Sequence, residues 1–335
     1  MKIYISPCSS ALAYREKYLR DVIELAKYPI DNLIENPENA DLILVPDPAF
    51  AYAHQWELLN RYLDKCYAIG SNIIGSLVIP GLYNNAPTSM LQKKRFIGCS
   101  YIYSRDTHRN SFLEFHNNEE KKQYLFSFVG SSASLVRKRL LKINFNRDDV
   151  LIKCTNEYNH WVAHQHNREI MQKSYVCTIK QSKFVLCPRG AGWGIIRVFE
   201  AMELGVAPII ISDKWLPPMG PNWKSFAIFV KQSDLNNLVE IVERHSCEYE
   251  ERGHLARKAW EEYFSDTVVF TRCIEAIEEL KENRIAVLDR FIFYSYPLIL
   301  AIDKLKNNFR RWMKLIILRL LNLFKLEFPY ELVNK

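Results

Sequence analysis

The 335-residue chain is 48% hydrophobic and 25% charged, carries a net charge of +7, and has 8 scattered cysteines with no C-x-x-C pair. That is enough apolar material for two globular domains with separate cores, and it points to neither a disulfide framework nor a zinc site. The opening MKIYISPCSS lacks the apolar core of a secretory signal, so the default expectation is a cytoplasmic protein.

The N-terminal half alternates strand and helix signals. Lys2 to Ser6 reads as a strand, Tyr14 to Lys27 as a helix and Asp41 to Val45 as a strand, followed by a helix around His54 to Cys66. The apolar run Ile73 to Ile79, ended by Pro80-Gly81, reads as a further strand, and Pro80 to Thr88 as loop. This is the grammar of a parallel βαβ sheet. The polar stretch Asp106 to Lys122 reads as an inter-domain link, and Leu125 to Val129 opens a second domain. Helical patterns from Asp234 to Leu280 are expected to cover the second sheet. The division predicted is 1–122, 123–283 and a tail, 284–335.

Within the second domain, KFVLCPRGAGWGIIRVFEAMELGVAPIIISD (183–213) comes closest to naming a chemistry. Lys183 to Cys187 reads as a buried strand. A turn containing Arg189, Gly190, Gly192 and Gly194 then leads into a helix that carries Arg197 and Glu200 on one face and stops at Gly205, before a strand over Val206 to Ile211. A loop so placed lies at the carboxyl end of a strand, where open α/β sheets bind ligands, and the helix start offers free N–H groups to an anion. Arg189 and Arg197 can neutralise a diphosphate, the glycines admit close approach, and Glu200 can accept a pair of ribose hydroxyls. Glu203, one turn further on, reads as an ordinary helix carboxylate. The bland alternative is a ligand-free turn followed by a surface Arg–Glu pair. The dinucleotide fingerprint fails because Ile195 occupies its third glycine position, and no P-loop motif occurs.

These residues also carry a resemblance. YLFSFVG (124–130), Val136-Arg137-Lys138-Arg139-Leu140, SKFVLCPRG, RVFEAMELGVAPIIISD and Leu216-Pro217 are together similar to the exostosin-type glycosyltransferases, densely over about 124–280, and ADLILVP (40–46) is similar to their N-terminal half. The resemblance implies a GT-B fold of two Rossmann-like α/β/α domains facing a cleft. It also implies inverting transfer from a nucleotide sugar, usually UDP-linked, to a glycan or polysaccharide. Carried over, Arg189 and Arg197 hold the diphosphate and Glu200 the ribose. Where the family commonly has a polar loop, this chain has Ala191, Trp193, Gly194, Ile195 and Ile196. A GDP-linked donor, or a non-catalytic sugar-nucleotide or glycan-binding protein, therefore stays open.

No D-x-D triplet occurs, so fixed cations rather than an obligatory metal are expected to meet the diphosphate charge. The catalytic base is sought in the first domain among Asp47, His54, Asp106 and His108, with Asp47 favoured by its position after a strand end. His160, His164 and His166 lack the H-E-x-x-H pattern and read as a polar helix face. Between Lys304 and Lys325 lie seven lysines and arginines and no acid, as many charges as the whole chain's net +7, with Leu305, Phe309, Trp312, Ile316, Leu320 and Leu323 at helical spacing. That is the pattern of a basic amphipathic helix at an anionic membrane surface rather than a nucleic-acid-binding face. The preceding uncharged run, Phe291 to Ile302, holds Pro297 and is shorter than the ~20 residues of a span.

Overall fold

Two parallel five-stranded sheets organise the computed structural model, which describes residues 1–10, 13–29, 32–71, 78–85, 95–101, 109–115, 121–158, 167–298, 301 and 305. The first runs in chain order: β1 (Ile3–Ile5), β2 (Leu42–Val45), β3 (Cys66–Ser71), β4 (Gly81–Tyr83) and β5 (Phe96–Gly98). Its strands are short and apolar, as expected of a parallel sheet covered on both faces. Helices α1 (Ala13–Leu25), α2 (Pro48–His54) and α3 (Trp56–Tyr62) belong to this half.

The second sheet contains β6 (Tyr124–Gly130), β7 (Val150–Cys154), β8 (Ser182–Pro188), β9 (Ala207–Ile211) and β10 (Ile228–Phe229), in the spatial order β10-β9-β8-β6-β7. Its helices are α4 (Leu135–Leu140), α5 (Arg168–Lys180), α6 (Ile196–Glu203), α7 (Trp223–Phe226), α8 (Leu238–Glu243) and α9 (Tyr249–Tyr263). Phe126, Phe128, Phe184, Leu186 and Ile209 pack with Leu235, Leu238 and Val242 into one core layer, while Val185, Cys187 and Ile210 face Val198, Met202 and Ala256 on the other. Strands buried on both faces explain why Val206 to Ile211 has no polar alternation.

Three expectations are corrected. The strand after the α3 region begins at Cys66, a position the helical pattern had absorbed, and Gly81 opens β4 rather than ending a strand; most of the run 73–79 lies outside the described residues. The last helix, α10 (Val269–Glu282), covers the first sheet: Val269, Phe270, Ile274 and Ile277 pack with Ile3, Leu42, Leu44 and Leu82. Periodicity reports that a helix has an apolar face, not which sheet the face meets.

One further link ties the halves together. Gly98 forms an isolated parallel bridge with Pro218, and a Cβ at Gly98 would lie 2.4 Å from the Leu216 carbonyl oxygen, so only glycine permits that approach. Met1–Arg284 forms one compact unit and Ile285–Lys335 a second. The second unit contains a helix over 286–298. Among the described residues, no helix is long and apolar enough to cross a membrane.

Candidate donor site

The order of the second sheet creates a topological switch point. From β6 the chain passes to β7 on one side and then to β8 on the other, so the connections diverge beyond the carboxyl ends of β6 and β8. Three arginines meet there. Arg137 of α4 donates from Nε and Nη2 to the Pro188 carbonyl oxygen, at 3.2 Å each. Arg197 in the first turn of α6 donates from Nη2 to Val129 O at 2.5 Å and from Nε to Tyr175 Oη at 3.1 Å. The Phe128 ring lies between them, with guanidinium-to-centroid distances of 5.6 Å to Arg137 and 4.6 Å to Arg197. Arg189 directly follows β8 and stacks 4.6 Å from the Trp193 ring. A side chain at Gly130 would collide with Arg197, since its Cβ would lie 2.7 Å from Nη2.

None of these three guanidinium groups is ion-paired among the described residues. Arg197 Nη1 and Arg189 Nε are buried without a hydrogen-bond partner. Burial, then the neighbouring Arg197 charge, pushes Arg137 down to about 10. Burial also lowers Arg189, against the pull of Asp213. Uncompensated cations in a partly dry site are costly, and an incoming anion offsets that cost. The unsatisfied N–H groups are donors that an anion's oxygens would satisfy.

Arg197 and Glu200 share one face of α6, as the sequence predicts, but a third residue joins them. Tyr175 on α5 donates to Glu200 Oε2 at 2.6 Å while accepting from Arg197. Burial, then the Glu200 charge, holds the Tyr175 phenol well above its ordinary value, so it remains a donor. One carboxylate oxygen of Glu200 is therefore already engaged by Tyr175.

The glycine loop also differs from expectation. Its N–H groups are not free: those of Trp193 and Gly194 both donate to Asn85 Oδ1, the latter at 3.0 Å. A Cβ at Gly192 would lie 2.2 Å from that same oxygen, and one at Gly194 would lie 2.2 Å from Asn84 O. These glycines admit the loop after β4, and an amide oxygen from the first half occupies the place where an anion's oxygen would sit. Gly190 has more room, with Arg137 Nη2 at 3.6 Å from its would-be Cβ.

Beyond Glu200 a crevice between the halves is lined by Ser100, Tyr101, Arg109, Glu203 and Asp266. Arg109 Nη1 bonds Asp266 Oδ2 at 2.9 Å, its Nη2 pairs with Glu203, and Tyr18 Oη donates to Asp266 Oδ1 at 3.2 Å. Burial pushes Glu203 up to about 7, opposed by Arg109. Glu203 is thus a buried member of a charged network and not an ordinary helix carboxylate.

Of the base candidates, Asp47 and His54 are among the described residues. Asp47 is buried after β2 and accepts from Ser9 Oγ at 3.3 Å. Since β2 is two strands from β4, it lies about 10 Å along the sheet edge from the loop that touches Gly192. His54 is exposed. Asp106, His108, His160, His164 and His166 lie outside the described residues. Sequence reasoning assigned no role to Arg137, Tyr175, Asn85 or Arg109. Arg137 alone left a trace, as a cation just after strand β6 within the quoted VRKRL.

Two parallel sheets, each with its helices, thus flank a crevice, and three arginines that are not ion-paired among the described residues lie at the second sheet's switch point. Residues 100–245 match the Exostosin GT47 domain, a stretch that contains all three arginines and Glu200. The chain is 29% identical over 177 residues to Exostosin-1 of Drosophila melanogaster, covering 48% of this chain and 23% of that protein. It is 27% identical over 186 residues to the Exostosin-1 homolog of Caenorhabditis elegans, covering 51% and 49%. It therefore spans between a quarter and half of the length of these relatives. A solved glycosyltransferase from Rickettsia africae superposes with a TM-score of 0.43 at 11% identity, over 84% of this chain and 90% of that one. Residues 100–245 are thus similar to the exostosin-type glycosyltransferases, the family that the motifs resemble.

Proposed function

We propose that this protein transfers a sugar, with inversion, from a nucleoside-diphosphate sugar to a glycan or polysaccharide. Residues 1–122 would serve as the acceptor side and 123–283 as the donor side. The observation that carries this reading is the convergence of Arg137, Arg189 and Arg197, none of them ion-paired among the described residues, at the ends of β6 and β8.

Glycosyl transfer develops negative charge on the departing diphosphate, and preorganised cations stabilise it without reorganisation. Arg189 and the free Nη1 of Arg197 would take the diphosphate oxygens, with Arg137 adding charge through Gly190, whose missing side chain leaves the path open. Glu200, steadied by Tyr175, would accept from the ribose. Asn85 would leave the loop N–H groups as the donor enters. A UDP-linked donor is the form implied by the exostosin resemblance, and the apolar loop 191–196 is what would admit a GDP-linked one instead.

The test is sugar-nucleotide hydrolysis and binding over UDP-, GDP-, CMP- and dTDP-sugars. Hydrolysis of one nucleotide class is expected, and it should survive EDTA because the charge is met by fixed arginines. Loss in EDTA restored by Mn²⁺ would overturn the leaving-group chemistry, and stabilisation without turnover would reduce the protein to a binding module.

A further inference from the structure

The helix over 286–298 presents an apolar stripe to solvent. Val287, Phe291, Tyr294 and Leu298, with Leu305 beyond them, are between 57% and 80% exposed. At 3.6 residues per turn Val287, Phe291, Tyr294 and Leu298 fall within about 40° of one line. Asp289, Phe293 and Tyr296, on the opposite side, are buried. Large side chains left in water at helical spacing mark a surface meant to be covered.

The charge downstream identifies the cover. In the sequence, Leu305, Phe309, Trp312 and Ile316 repeat the 4-3-4 spacing of Val287, Phe291, Tyr294 and Leu298, and Leu305 stands about five helical turns after Val287, in the same phase. Seven cations and no acid accompany this repeat between 304 and 325. A second copy seated on the stripe would bring seven positive charges against seven, which disfavours self-association. An anionic surface gains from both terms, because the apolar stripe enters the headgroup boundary while the cations meet the lipid phosphates.

We infer that the stripe from Val287 to Leu305 is an interfacial docking surface for an anionic lipid bilayer, on which the enzyme lies without spanning it. The inference does not depend on the sugar donor.

Co-sedimentation of the full chain with vesicles of phosphatidylcholine alone, and of phosphatidylcholine with phosphatidylglycerol, tests it. Wild type should pellet with the anionic vesicles only and be released by salt. Combined Phe291→Ser and Leu298→Ser should weaken partitioning on the order of tenfold or more, with the melting temperature unchanged because both side chains start exposed. Arg310→Glu, Arg311→Glu and Lys314→Glu together should abolish the preference for anionic vesicles. The proposal is overturned if wild type does not pellet, or if either variant binds as wild type does. A concentration-dependent dimer in light scattering, dissolved by the serine substitutions, would overturn it in favour of a second copy.

Discussion

Two arginine clusters abut the same helix, and they behave as opposites. At the start of α6, Arg197 and its neighbours Arg137 and Arg189 lie in a partly buried site without a carboxylate ion-paired to any of them. Two turns later, Arg109 is clamped between Glu203 and Asp266, with Tyr18 completing the network across the halves. In the second cluster the cation is matched by carboxylates, so it serves as a fastening. The first is left charged and incomplete, and that incompleteness is what the proposed donor site rests on. A carboxylate within reach decides which role a buried arginine plays.

Breaking the fastening should have the largest effect. Arg109→Ala leaves Glu203 and Asp266 buried without their cation, and should lower stability by roughly 3–5 kcal/mol in chemical denaturation. If Arg109→Ala unfolds at the wild-type midpoint, the network is not structural. Arg189→Ala should do the reverse: at least about tenfold weaker nucleotide-sugar binding in calorimetry, from loss of charge-assisted bonds of about 1.5–3 kcal/mol each, with stability unchanged or raised. A variant that loses stability and keeps affinity would exchange the roles of the two clusters.

Smaller substitutions sharpen the contrast. Glu200→Gln should weaken donor binding while leaving the fold intact, and Tyr175→Phe should shift affinity the same way by less, since it frees the carboxylate but removes its orientation. Equal affinities in both variants and wild type would remove Glu200 from the site. Asn85→Ala should tighten donor binding several-fold, because it vacates the N–H groups of Trp193 and Gly194; weaker binding would make Asn85 a donor contact instead.

The last expected effect is a pH dependence. Glu203 is raised from 4.5 to about 7 in the folded protein. Its protonated form is therefore favoured by folding, a contribution fully present below the unfolded value of 4.5 and lost as pH rises through about 7. Melting temperatures of wild type and Glu203→Gln should thus diverge progressively between those values and run parallel outside them. Parallel curves throughout would show that Arg109 holds Glu203 ionised.

Much of the donor side was legible because its signals are local. Strands buried on both faces read as unbroken apolar runs, and an arginine and a glutamate at i, i+3 must share a helix face. The strand Cys66–Ser71 escaped notice because it follows its helix with no intervening turn signal beyond a short 3-10 turn at Leu63–Lys65. Standing after a strand places Asp47 on a sheet edge but sets no distance along that edge.

The sequence by itself determined the two-sheet α/β class, the glycine loop between β8 and α6, the placing of Arg189, Arg197 and Glu200 about that loop, and the charge of the tail. Periodicity and turn chemistry act within about a dozen residues, which suffices for each of these. Tertiary structure decided that Arg137 joins the cluster from 52 positions before Arg189, that Tyr175 bridges Arg197 to Glu200, and that Asn85 fills the loop. It also decided that α10 covers the first sheet, and that Arg109 finds two acids while Arg197 finds none. Each depends on which groups meet across a crevice, and desolvation then turns that meeting into either a fastening or a site.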